Sequence, residues 1–173
     1  MTDPTHQETS RQGDGFTMRP VTGDDNMALS ALLRDVMAEF GAAGAGSSIH
    51  DPEMLDIAKS YSAPGSAYFV VEAKGRLVGG GGLGPLAGGD PGVCELRKMY
   101  LRPEARGLGI GRAMLGQCLD VARRLGYARM YLETRQTMRE ARRLYERNGF
   151  APVGKPIGHT GHFGCDAWYV RDL

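Results

Sequence analysis

The sequence predicts a single α+β domain built on a mixed sheet, and three observations carry that reading. Runs of alternating apolar and polar residues mark about six to seven strands, two of them joined at Lys74-Gly75 as a tight hairpin. About four stretches with helical apolar spacing lie between them, to cover both faces of the sheet. The order is hairpins first and then a strand–loop–helix–strand–helix–strand run, unlike the strict repeat of a parallel α/β sheet.

At 173 residues and 42% hydrophobic, the chain has room for one real core. Residues 1–15, "MTDPTHQETSRQGDG", carry almost no large apolar groups and read as a mobile tail, so the domain is expected over 16–173. The net charge of +1 gives no general attraction to nucleic acid or to an anionic membrane, and neither is expected as a partner. The charge is unevenly spread, however: residues 95–147 hold thirteen Arg or Lys against six Asp or Glu. Cys94, Cys118 and Cys165 are too few and too scattered for a disulfide framework, which suits a reducing compartment. With no membrane-length apolar run and no signal-peptide core, a cytoplasmic location is expected.

In chain order, a short strand is predicted around 16–20 and a helix near 23–40, with capping oxygens in Thr22 to Asp25. "GAAGAGSS" (41–48) reads as a flexible loop. "DPEML" opens a second helix, with Asp51 as N-cap and Pro52 at its first position. "SAYFVVEA" and "RLVGGGGLGPL" are the hairpin strands; nothing in the sequence requires the four glycines at 79–82. "GVCELRKMYL" (92–101) follows, its alternation placing Glu95, Arg97 and Met99 on one face and Cys94, Leu96, Lys98 and Tyr100 on the other. A helix is predicted over about 109–125 and ends at Gly126. A strand at 128–134 leads to "TMRE" (137–140), which reads as a capping box opening a helix that stops at Asn148-Gly149. "FAPV" and "CDAWYVRDL" are the last two strands.

The chemistry centres on "RGLGIGR" (106–112), three alternating glycines framed by arginines at the start of a helix. The first turn of a helix offers free N–H groups and the positive end of its dipole, and glycines let an anion reach them. A dinucleotide fingerprint is rejected because its third glycine position holds Arg112. A Walker-type loop at "GFAPVGK" (149–155) is rejected because Pro156 stands where a hydroxyl and an amide are needed. What remains is a phosphate-binding loop of the form R-x-x-G-x-G.

With these features in place, "CELRKMYLRPEARGLGIGRAML", "YLET" and "EARRLYERNGF" together resemble the GNAT superfamily of acetyl-CoA-dependent N-acetyltransferases, over roughly residues 17–153. The resemblance implies a sheet splayed at the cofactor site. It implies that the loop, Arg106, Gly107, Leu108, Gly109, Ile110, Gly111 and Arg112, holds the pyrophosphate of coenzyme A. It also implies that a bulge at Met99, Tyr100 and Leu101 pairs its backbone with the pantetheine arm. Many relatives carry Asn where this chain has Met138, so a side-chain contact from that position is not expected, and Thr137 is the available substitute.

Two catalytic candidates follow. The resemblance places Tyr145 near the thioester sulfur, where its hydroxyl could protonate the departing thiolate; otherwise it is a core aromatic. Glu95, on the strand before the loop, could take a proton from the attacking amine, or could be an ion partner of Arg97. His159, His162 and Cys165 sit close in sequence but lack a fourth ligand, so no metal is expected, and the loop is read as packing and acceptor lining together with Trp168 and Tyr169. The expected activity is acetyl transfer from acetyl-CoA, as co-substrate, to a primary amine of a small molecule or peptide, by a monomer or homodimer. Two other classes fit the same residues: a non-catalytic coenzyme-A-binding module, and an interaction domain whose basic face takes an unrelated phosphate ligand.

Overall fold

The computed structural model describes residues 11–13 and 15–173. Its strands are β1 (Arg11–Gly13), β2 (Phe16–Pro20), β3 (Ala67–Ala73), β4 (Arg76–Pro85), β5 (Val93–Leu101), β6 (Arg129–Thr134), β7 (Ala151–Val153) and β8 (Ala167–Asp172). The helices are α1 (Asn26–Glu39), α2 (Ile57–Ser60), α3 (Ile110–Arg124) and α4 (Arg139–Arg147). The strands form one sheet in the order β1-β2-β3-β4-β5-β6-β8-β7. Its pairings are antiparallel except β5 with β6. This is one strand more than the alternation of the sequence marks. The addition, β1, pairs Arg11 with Met18 inside the segment expected to be a tail; residues 1–10 and 14 of that segment lie outside the described residues.

Two cores hold helices to opposite faces. On one face, Leu29, Leu32, Leu33, Val36 and Met37 of α1 pack with Tyr68 and Val70 of β3. On the other, Met114, Leu115, Cys118 and Ala122 of α3 pack with Phe69, Val71, Cys94 and Leu96. Alternation along β3 thus feeds both faces, as a central strand must.

Several local expectations are revised by tertiary contacts. The helix begun at Thr22 is a 3-10 turn over Gly23–Asp25 followed by α1. There the Asp25 carboxylate accepts from the Thr22 amide at 2.8 Å and also pairs with Arg19. "DPEML" makes only a 3-10 turn over Pro52–Leu55, and α2 starts after Asp56, whose side chain accepts from the Lys59 amide. Asp51 caps no amide, because its carboxylate is drawn to Lys98 and His162. The "TMRE" box does not form either: α4 opens at Arg139, and the Glu140 carboxylate takes Arg143 instead. The glycine-rich 41–48 loop is tied at both ends, with the Ala42 amide on the Met37 carbonyl and the Gly164 amide on that of Gly46.

The run Gly79–Gly82 acquires a physical reason. A Cβ at Gly80 would stand 2.8 Å from the Tyr68 ring, and one at Gly82 2.5 Å from it. Tyr68 therefore lies flat across β4 and delivers its hydroxyl to the Lys98 carbonyl on β5 at 2.9 Å. At that point β5 carries an extra residue: Gly82 faces Arg97 and Gly80 faces Tyr100, so Lys98 and Met99 share the single partner Gly81. Lys98 adopts φ +48, the left-handed region.

Candidate active site

That bulge re-phases β5 and overturns the face assignment drawn from simple alternation. Met99 joins Leu101 against the α3 core, while Lys98 turns to the α1 side with Glu95 and Arg97. The bulge lies at Lys98–Met99 and so overlaps the expected Met99, Tyr100 and Leu101 only at Met99; Tyr100 and Leu101 pair regularly with Gly80 and Gly79.

β5 and β6 pair only through Val93–Arg129, Cys94–Met130 and Glu95–Tyr131. Beyond Glu95 the strands part although both continue, so the sheet is splayed where the resemblance implied. A cleft of about 50 Å³ opens beside this fork, lined by Glu95, Arg97, Lys98, Tyr100, Glu133, Arg135 and His162 among others.

The glycine loop follows β5 along the chain, joined to it by a 3-10 turn over Pro103–Ala105. The amides of residues 107–112 make no hydrogen bond among the described residues, and α3 starts at Ile110 behind Gly109. Gly107 and Gly109 have φ of +74 and +78, which side chains rarely adopt. Gly111 is helical, with space at its Cβ limited by Leu144 at 3.4 Å. Leu108 is exposed, Ile110 is buried in the α3 core, and Arg112 projects exposed from the first turn. Arg106 departs from its expected role. Its guanidinium forks onto Glu39 of α1 at 2.5 and 3.0 Å, donates Nε to the Leu101 carbonyl, and lies 5.0 Å over the Phe40 ring. Its charge is spent bracing the loop against α1.

Tyr145 is 6% exposed, with its ring edge-on to Phe150 and 6.3 Å from that of Tyr169. Its hydroxyl has no hydrogen-bond partner among the described residues, and burial raises its pKa, so it stays protonated. The ring is core, and the oxygen is unused by the fold. Tyr169 is on this same face, its hydroxyl between Arg142 and Glu146, and so packs α4 instead of lining the acceptor side.

Glu95 is 4% exposed and does pair with Arg97, Oε2 to Nε at 2.8 Å. Burial raises its pKa, and Arg97 opposes the rise. Glu95 is thus an ion partner of Arg97, and it also lines the cleft. His162 stands beyond it, Nδ1 at 3.4 Å from Glu133 and 3.9 Å from Glu95, with Nε2 on Asp51 at 3.0 Å. Burial pulls the imidazole pKa down, but the bonds to Asp51 and Glu133 outweigh it and hold the value at about 9. The Glu133 carboxylate accepts further from Tyr131 and Thr160.

The local His/Cys set of the sequence thus comes apart. His159 lies exposed against Gly88, while His162 joins Glu95 and Glu133, all three ligand atoms within 4.8 Å of one another. A proton on Nδ1 satisfies that arrangement as it stands. Asp51, Lys98 and Glu133 carry no motif at fixed spacing, and sequence reasoning missed their place at the cleft, whereas His162 belongs to the loop read as acceptor lining.

Comparison with known proteins agrees with this geometry. The model of the Acetyltransferase (GNAT) family matches residues 30–150. The Escherichia coli protein described as uncharacterized N-acetyltransferase YjgM is 41% identical over 157 residues, covering 90% of this chain and 94% of that one. Among solved structures, a GNAT-family acetyltransferase from Staphylococcus aureus superposes with a TM-score of 0.79 at 20% identity, covering 91% of this chain and 99% of that one. A putative acetyltransferase from Salmonella typhimurium, solved with its cofactor acetyl-CoA, gives 0.74 at 21%, covering 92% and 94%. Among the described residues no helix is long and apolar enough to cross a membrane. The forked sheet, the unpaired amides at the start of α3 and the matched family model together make this chain a member of the GNAT acetyltransferase family.

Proposed function

We propose that the chain transfers an acetyl group from acetyl-CoA to the primary amine of a small acceptor by direct attack, in one step. The observation that carries this reading is the fork beyond Glu95–Tyr131, because β5 and β6 no longer pair beyond it beside the cleft, and the loop amides that follow β5 make no hydrogen bond among the described residues. The donor set fits a pantetheine pyrophosphate: amides for the phosphates, no Cβ at Gly107, Gly109 or Gly111, and Arg112 free at the surface. Met99, Tyr100 and Leu101 would pair with the pantetheine arm. The solved neighbour with acetyl-CoA supports the same cofactor.

When bound, acetyl-CoA supplies an activated acetyl thioester. Glu95 takes the proton that the amine must lose, backbone N–H groups at the bulge near Met99 steady the developing oxyanion, and Tyr145 donates its phenolic proton to the leaving sulfur. Burial raises the Glu95 pKa, and the ion pair with Arg97 opposes that rise and so favours the carboxylate form that a base requires. No metal enters this scheme. The test is release of coenzyme A across a panel of amines, with products read by mass spectrometry. Binding of coenzyme A without turnover on any amine would favour the non-catalytic module.

A further inference from the structure

Four cations line the acceptor cleft, and three are matched by carboxylates. Arg97 pairs with Glu95 at 2.8 Å and with Glu53 at 3.7 Å. Lys98 pairs with Asp51 and Glu53, at 2.6 and 2.5 Å. His162, held protonated, lies between Asp51 and Glu133. Arg135 is different. It follows the last residue of β6, half-buried, and among the described residues it faces no carboxylate. It makes one hydrogen bond, from Nη1 to the Gly41 carbonyl beyond α1. Its charge bears on Tyr100 and Cys165, both of which line the cleft.

A guanidinium carries five N–H donors in a fixed fork, so a single carbonyl leaves most of its capacity open. Partly removing that charge from water without a counter-charge is costly, and an anionic ligand would offset the cost. The opposite pole is close by. Glu95 and Glu133, with side chains 5% and 4% exposed, stand at the inner end of the cleft, and Glu133 is two residues from Arg135. Two residues of chain span at most about 7 Å between Cα atoms, a span that the two ends of a small zwitterion bridge.

We propose that the acceptor is a small amino acid-type molecule, its amine directed to Glu95 and Glu133 and its carboxylate forked by Arg135. This rests on the acetyl-transfer reading and narrows its acceptor. A polyamine or aminoglycoside would set a second ammonium against Arg135, and that repulsion selects against both. The geometry of carboxylate recognition suits arginine more than lysine, because both carboxylate oxygens are bound at once.

The experiment uses the twenty amino acids, each beside its carboxamide, with the native protein and the Arg135→Gln and Arg135→Lys variants. Acetylation is measured by mass spectrometry, and binding to the coenzyme-A-loaded protein by calorimetry. The expected result is a preference of roughly tenfold or more in kcat/KM for at least one amino acid over its carboxamide. Arg135→Gln should erase that preference, Arg135→Lys should restore part of it, and KM for acetyl-CoA should stay unchanged in both. Equal rates for acid and amide overturn the proposal while leaving acetyl transfer intact. So does an Arg135→Gln variant whose defect is in KM for acetyl-CoA, since Arg135 would then serve the cofactor. Binding that prefers the acid and depends on Arg135, without turnover on any amine, upholds the proposal and overturns the transfer reading. Neither binding nor turnover overturns both.

Discussion

Glu95 and Tyr131 are the last residues through which β5 and β6 are joined, and the Tyr131 hydroxyl then donates to Glu133 two residues further on, at 2.7 Å. The sheet therefore opens at Glu95 and just before Glu133, the two acids whose carboxylates line the cleft. A parallel ladder would otherwise consume the β5 backbone groups beyond that pair. Their release and the placing of the two acids have a single cause.

As the proposed base, Glu95→Gln should lower turnover most at low pH, where the acceptor amine is most protonated, and leave acetyl-CoA affinity nearly intact. Burial raises the Glu95 pKa and Arg97 opposes the rise, so the native acidic limb reports their balance. A uniform small loss that tracks a lowered melting temperature would mean that the carboxylate matters only to Arg97.

Tyr145→Phe keeps the ring against Phe150 and Tyr169 and deletes an oxygen that has no hydrogen-bond partner among the described residues. Stability should change little, because no protein partner is stranded. Turnover should fall by roughly 10²-fold, the low end for a positioned acid, with KM for acetyl-CoA nearly constant. Near-normal turnover would return the proton donation to solvent.

Gly111→Asp tests the phosphate loop more cleanly than a change at Gly109, where a φ of +78 would strain any side chain. At 111 the backbone is helical, and a carboxylate in the first turn suits the helix dipole. The helix dipole should offset the crowding against Leu144 and Leu101, so the melting temperature should fall only modestly, while acetyl-CoA affinity falls by roughly tenfold or more through repulsion of the phosphates. Unchanged affinity by calorimetry would remove the loop from the cofactor site.

Stability should depend on pH through His162. Its folded pKa of about 9 lies above the ordinary 6.5, so the folded state binds the proton more tightly than the unfolded chain. The contribution is full below pH 6.5 and is lost as pH rises through about 9. It is worth on the order of 3 kcal/mol, to be read in melting curves across that window. His162→Gln should flatten the decline, and a decline unchanged in that variant would assign it to other groups.

The sequence made legible what depends on local pattern. The main strands and α3, with its glycine entry and Gly126 exit, follow from periodicity and caps, and the Tyr145 helix from its periodicity and its stop at Asn148-Gly149, since the capping box at its start does not form. What stayed hidden depends on distant partners. Asp51 looked like an N-cap because nothing local shows that His162, 111 residues away, will take its carboxylate. Arg106 looked like a phosphate ligand until Glu39, 67 residues away, claimed it. Alternation misplaced Met99 and Lys98 because one bulge shifts every later side chain to the other face. The bulge in turn depends on Tyr68 lying over glycines of a neighbouring strand.

The last turn of α1 and the turn just beyond it hold an arginine from each side of the fork. Glu39 grips Arg106, which continues from β5, and the Gly41 carbonyl receives Arg135, which continues from β6. Past Glu95 and Tyr131 no ladder fixes how far apart those strands stand, so the helix end acts as a spacer across the gap. The width available to a substrate is then a matter of helix length: adding or removing one residue in α1 would rotate its end by about 100° and regauge the opening from outside the sheet. Two relatives with identical clefts and unequal first helices would accept molecules of different breadth.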